Sequence, residues 1–275
     1  MKKIITLIVS AIIAIVSVFT LTGCGKEKVV DVTSKGTITV GYTIYSPMNY
    51  KDDKGVLVGF DTELALMTFN ALGYDVIFTE IEWSNKYNEL NYNTVDCVWN
   101  GFTMNSTDKI DGVSTPRNQI VDFTAPYMYN AQCIVKGANA PEITSIADFA
   151  NMSVAYEDGS AGESFVDTLT GAIKTPVTSQ MDALREVKAG TADYAVVDVV
   201  LAKANAGKGD YASLSINEGL AMDQELYAVA FKKGSELTEK VNIMFDAFAK
   251  TGVLTDLATK YGLQDVVKLD GYIAQ

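Results

Sequence analysis

Short β-branched runs alternate with stretches of helical period along most of the chain, and this alternation limits the fold more than any other feature. Thr37-Ile38-Thr39-Val40-Gly41 is a β-rich run closed by glycine. A hairpin is expected from Asn49–Lys51 through the turn Asp52-Asp53-Lys54-Gly55 to Val56–Val58. Leu64, Ala65, Met67, Thr68, Ala71 and Leu72 then recur at helical spacing, with Asp61 placed as N-cap and Gly73 as the residue beyond the C-cap. Strands are expected at Asp75–Ile81, Asp96–Trp99, Ala131–Val135, Asn151–Tyr156, Ala192–Val197 and Leu226–Phe231. Helices are expected after Gly159 and at Met181–Ala189, Val241–Lys250 and Leu254–Tyr261. Repeated βα units predict an α/β architecture with mostly parallel sheets.

The first residues read as an address rather than as fold. Lys2 and Lys3 precede an uncharged, apolar run from Ile4 to Thr20, the pattern of a secretory leader. Leu21-Thr22-Gly23-Cys24 resembles a bacterial lipobox, so residues 1–23 are expected to be cleaved and Cys24 to carry lipid. Several acyl chains anchor a protein firmly where one does not. Residues 24–36 read as a polar tether.

Composition removes whole classes of function. The 275 residues hold 34 acidic and 22 basic side chains and no histidine. Without the leader's two lysines the net charge is −14, which argues against nucleic-acid and polybasic membrane partners. Zero histidine excludes a Ser-His-Asp triad, a Cys-His dyad and the common His-based zinc sites. Cys24, Cys97 and Cys133 form no CxxC pair. Cys97 and Cys133 fall on separate expected strands and are compatible with a disulfide or with two buried thiols.

The order of the remaining signals carries a resemblance. The aromatic corner Tyr45-Ser46-Pro47 is followed by Gly59-Phe60-Asp61-Thr62-Glu63-Leu64, then Arg117 and Val121-Asp122-Phe123-Thr124-Ala125-Pro126-Tyr127. Gly159-Ser160, Gly190-Thr191-Ala192-Asp193 with Val196-Val197-Asp198, Thr251-Gly252-Val253-Leu254 and Lys260-Tyr261-Gly262 complete the series. From Ile38 to Leu263 the chain resembles the family 3 solute-binding proteins, the polar amino-acid receptors of ABC importers. The resemblance implies a two-lobed, venus-flytrap fold of two open α/β sheets joined by two hinge strands. By analogy, lobe 1 spans 37–128 and 228–275, and lobe 2 spans 129–227. It also implies a monomer on the outer face of the cytoplasmic membrane (or facing a periplasm), a free amino acid as ligand, an ABC transporter permease as partner, and no cofactor.

A zwitterion presents a carboxylate and an ammonium, and desolvating either without a partner costs several kcal/mol. Arg117 lies six residues before Phe123, as the family's carboxylate-binding arginine does. Its fork can grip a carboxylate bidentately, a Coulomb gain of roughly 4–5 kcal/mol at an effective ε of 20 before desolvation. The resemblance adds Thr103, Ser160 and Ala161 at the carboxylate, the last two opening an expected helix. It gives the ammonium Asp198, at the exit of an apolar strand, with Gly101 and Asn100. Asp193 is read as a structural acid. Tyr45 and Trp83 match the aromatic positions around the ligand side chain, with Tyr42 and Glu157 near it. One departure stands out: Thr103 and Arg117 are fourteen residues apart where the family has about five. An insertion near Asn105–Val113 accounts for this. It lacks the spacing and closing glutamate of a calcium loop and reads as a solvated loop.

Tyr42-Thr43 stands where family receptors for cationic ligands carry an acid, so an uncharged polar amino acid or cystine is expected. The rival reading on the same fold is a cyclohexadienyl-dehydratase-like enzyme, with Glu157 as the one nominated general acid.

Overall fold

The computed structural model describes residues 34–272. The leader, Cys24 and most of the tether lie outside the described residues.

The strands are β1 (Thr37–Tyr42), β2 (Tyr50–Lys51), β3 (Leu57–Val58), β4 (Asp75–Glu80), β5 (Cys97–Thr103), β6 (Thr107–Ile110) and β7 (Val113–Pro116). Then come β8 (Asp122–Phe123), β9 (Met128–Gly137), β10 (Ser153–Glu157), β11 (Ile173–Val177), β12 (Tyr194–Asp198), β13 (Leu214–Ile216) and β14 (Gln224–Phe231). The main sheet runs β11-β10-β12-β9-β14-β5-β1-β4, with β13 on β9 and β8 on β14. Its two ends are parallel: β1 pairs with β4 and β5, and β10 with β11 and β12. The centre is antiparallel, where β9 and β14 pair from Gln224↔Ala131 to Tyr227↔Met128. Two lobes, each a parallel α/β unit, are therefore stitched into one sheet by two long strands.

The lobe built on β5-β1-β4 is filled by aromatics. Trp99 meets Phe69 at 5.9 Å and Phe245 at 5.5 Å between ring centroids. Each such buried side chain contributes about 1.5–3 kcal/mol through apolar burial. In the other lobe Phe149 packs on Tyr194 at 5.8 Å. Cys97 and Cys133 are both buried free thiols, so of the two readings the reduced one holds. Burial raises both thiols above their ordinary value.

Two local readings need correction. Asp61 does not cap the helix Phe60–Ala71; Gly59 is the N-cap, and Asp61 lies fully buried in the first turn. Its Oδ2 accepts from the Gly101 N–H at 2.7 Å and the Tyr127 hydroxyl at 2.9 Å, tying this helix to β5. The Asn105–Val113 insertion is not an irregular solvated loop. It forms the antiparallel hairpin β6–β7, turned at Asp111 (φ 51°) and Gly112 (φ 79°). Positive φ at two successive residues is the geometry an Asp-Gly hairpin turn supplies. The expected end of the helix Phe60–Ala71 is found, with Gly73 at φ 87°.

Candidate functional site

Ligands of open α/β sheets gather beyond the carboxyl ends of the strands. Thr103 ends β5, Glu157 ends β10 and Asp198 ends β12. Nine of the eleven ligand-contact residues chosen from sequence line one cavity between the lobes: Trp83, Asn100, Gly101, Thr103, Arg117, Glu157, Ser160, Ala161 and Asp198. Gln180 is the further lining residue. The cavity volume is about 10 Å³, about the room one water needs, so a solute enters only when the lobes part.

The other two residues stand outside that lining. Tyr42 is buried with its ring edge on Phe78 and its hydroxyl 3.4 Å from Glu80. Tyr45 sits behind Gly101, its hydroxyl 2.7 Å from that of Tyr227.

Arg117 is 1% exposed and makes four hydrogen bonds to protein acceptors. Its Nε and Nη2 donate to Oδ1 of Asp108 at 3.0 and 2.8 Å. Nη1 donates to the Thr103 carbonyl at 3.0 Å, and Nη2 also to the Gly159 carbonyl at 3.3 Å. Asp108, on the inserted hairpin, also accepts from the Tyr87 hydroxyl at 2.5 Å and pairs with Lys86 at 3.3 Å. Burial alone would raise the Asp108 carboxyl; Arg117 and Lys86 outweigh it and hold the group below its ordinary range. Lys86 is itself buried, which lowers its ammonium to about 8 against the pull of Asp108. It donates to the Gly159 carbonyl at 2.8 Å and lies 4.6 Å from the Tyr87 ring centre.

The opposite wall is acidic. Asp198 sits at the N-cap position of the helix Val199–Asn205 but makes no side-chain cap bond. It turns into the cleft instead, accepting from Asn130 at 2.8 Å, Gln132 at 2.5 Å and Gln180 at 2.5 Å. Glu225 lies beside it, sharing the Asn130 amide at 2.8 Å and taking the Thr103 hydroxyl at 3.1 Å. Burial raises both carboxyls, and for Glu225 the nearby Asp198 charge adds to it. Burial, helped by Asp198, pushes Glu157 up to about 8.

The sequence model of the bacterial extracellular solute-binding proteins, family 3, matches residues 38–264. The chain belongs to this family.

Among curated relatives, this family 3 protein is 27% identical to the arginine-binding extracellular protein ArtP of Bacillus subtilis (strain 168), over 95% of this chain and 98% of that one. Among solved structures it resembles an ancestral arginine-binding protein bound to arginine: TM-score 0.74, 29% identity, 83% of this chain and 99% of that one. A second is the ancestral amino acid-binding protein AncCDT-1, a precursor of cyclohexadienyl dehydratase: TM-score 0.69, 29% identity, 82% of this chain and 95% of that one.

Several side chains of this cleft are turned to protein partners. Ser160 caps the six-residue helix Ala161–Val166 by accepting from the Glu163 N–H at 3.2 Å, while Glu163 accepts from the Gly159 N–H at 2.7 Å. The Asn100 amide donates to the Thr43 carbonyl at 2.9 Å and to Asn49 Oδ1 at 2.7 Å. The Gly101 N–H is spent on Asp61. Trp83 stacks edge-on to Phe102 at 4.8 Å while still facing the cavity. Asp193, read as structural, accepts from the Ser153 N–H at 2.7 Å and hydroxyl at 2.9 Å.

Sequence reasoning missed Asp108, Lys86, Glu225, Gln180, Asn130 and Gln132. Asn130, Gln132 and Glu225 lie on the strands expected to cross between lobes, the one signal that could have found them. Asp108 was set aside with the insertion that carries it.

Proposed function

We propose that this chain is an extracytoplasmic receptor that captures a small polar solute bearing a basic group, closes on it, and delivers it to an ABC transporter permease. The observation that carries the reading is the acidic wall, where Asp198, Glu225 and Glu157 converge with side-chain amides aimed among them. A buried carboxylate cluster is costly until a cation joins it. An arginine- or lysine-like group fits that need better than the uncharged side chain or cystine expected from Tyr42-Thr43. The names of the relatives point the same way. The same reading includes Cys24 as a lipid anchor after cleavage of 1–23, a monomeric receptor, and lobe boundaries near 128/129 and 227/228. Arg117 would serve in it as the cleft's cation and Asp198 as the ammonium partner.

Calorimetric titration of the mature chain tests it. Arginine, lysine, glutamine, cystine and prephenate form the panel. Binding of the two cations tighter than about 10 μM, roughly −7 kcal/mol, is expected, with at least tenfold weaker binding of glutamine and cystine. Tight glutamine or cystine with silent cations would overturn it. Glu157, a cleft-lining carboxyl that burial and Asp198 push up to about 8, is the feature behind the dehydratase alternative; turnover of prephenate would establish that reading instead.

A further inference from the structure

Strand β5 breaks its pairing where it meets the cleft. Its register with β14 passes from Val98↔Ala230 to Phe102↔Ala228, so Trp99, Asn100 and Gly101 stand opposite Val229 alone. Its pairing with β1 ends at Val98. A bulge of this kind re-aims backbone groups that a regular ladder would consume. Asn100 and Gly101 line the cavity, with Gly101 in the left-handed region at φ 59°.

Other polar groups of this stretch are spent on protein. The Asn100 side chain accepts from the Thr43 hydroxyl at 2.6 Å and donates to the Thr43 carbonyl and to Asn49. The Gly101 N–H donates to Asp61 Oδ2 at 2.7 Å. A trans peptide points its N–H and C=O in opposite directions, so this bond turns the Asn100 carbonyl away from Asp61 and fixes the start of the turn at Gly101. What the bulge brings to a solute is carbonyl oxygen, an acceptor that suits an ammonium.

As a device for stability alone, Asp61 is poor. It is fully buried, and its Oδ2 takes both the Gly101 N–H and the Tyr127 hydroxyl. Its Oδ1 has no partner among the described residues. A half-paired buried carboxyl costs free energy that an apolar side chain would not. What the group does accomplish is to pin one peptide of the cleft wall from behind the cavity lining. Resting on the reading that the cleft captures its solute through an ammonium, we propose that Asp61 is a positioning residue for ligand recognition. By holding the Gly101 N–H it aims the Asn100–Gly101 backbone at the ligand's α-ammonium.

Calorimetry on the mature chain with arginine and its des-amino analogue, 5-guanidinopentanoate, isolates that end of the ligand. The wild type is expected to favour arginine by about tenfold or more. Asp61→Val keeps the space filled but removes the acceptor, and should lower that preference by about fivefold or more. Asp61→Asn keeps an oxygen for the Gly101 N–H and should hold the preference close to the wild-type value. Equal weakening of both ligands in Asp61→Val would mean a purely structural role and overturns the proposal. So does an Asp61→Asn variant that loses the preference as fully as Asp61→Val. If the variants do not fold, hydrogen exchange on the wild-type chain decides. The Gly101 amide should stay protected with and without arginine, and fast exchange without arginine overturns the anchoring. Failure of the ammonium reading looks different: the wild type itself binds the two ligands alike, or binds neither.

Discussion

At the scale of single residues, Asp198 and Gly101 make the sharpest claims. Asp198 ends an apolar strand and is met by three side-chain amides, yet its helix-capping role is unused. Hydrogen bonds to charged groups are worth about 1.5–3 kcal/mol. Asp198→Asn should therefore weaken a cationic ligand by about ten- to a hundredfold with the fold intact; an unchanged Kd would refute its role. Gly101 has φ +59°, and a Cβ there would lie 2.7 Å from the Tyr45 ring and 2.9 Å from that of Tyr227. Both the left-handed backbone and the overpacking cost about 1–3 kcal/mol. Gly101→Ala should lower Tm by several degrees, at about 2–4 °C per kcal/mol for a protein of this size. Arg117 and Asp198 were legible because each stands at a fixed offset from a strong local pattern. Asp108 was not: Asn-Ser-Thr-Asp-Lys-Ile-Asp-Gly has the polarity of a solvated loop, and only tertiary contacts show that its carboxylate is buried.

At the scale of elements, strands and helices with strong periodicity were readable, and short or weakly patterned ones were not. β11 contains Pro176 and lies at the sheet edge, where proline is tolerated, so its run lacks the usual strand signature. The helix Val199–Asn205 follows directly on β12, and the continuous apolar run hides the junction. The hairpin β6–β7 shows the same limit, since its pattern becomes meaningful only against the lobe that covers it. Its exposed clasp can be separated from its buried one. Lys109–Asp167 has an exposed lysine, and solvent screens such a pair heavily. Lys109→Ala should weaken ligand binding less than about fivefold; a larger loss in Kd would show the clasp to be a main determinant of closure.

For the whole molecule, the buried acids set the response to pH. Burial pushes Asp61 from 3.8 up to about 7, against bonds from Tyr127 and Gly101. Glu157 rises from 4.5 to about 8. A carboxyl raised on folding contributes stability that is full below its unfolded value and lost as pH climbs through its folded value. The unliganded protein should therefore lose Tm progressively between about pH 5 and pH 8.5 in a calorimetric scan. A flat profile there would mean that these two carboxyls are ionised in the folded state. Asp108 has the opposite sign: its depressed carboxyl contributes above its ordinary value, and that part is lost only in stronger acid.

The pairing of β9 with β14 has a mechanical meaning. Two lobes joined by slack linkers would swing freely, and closure would cost mainly entropy. Here the sheet is unbroken from β11 to β4, so the joint behaves as a leaf spring of two hydrogen-bonded blades. Two paired strands resist shear and twist more than two separate linkers would, so relative movement of the lobes would be restricted to bending of this ribbon.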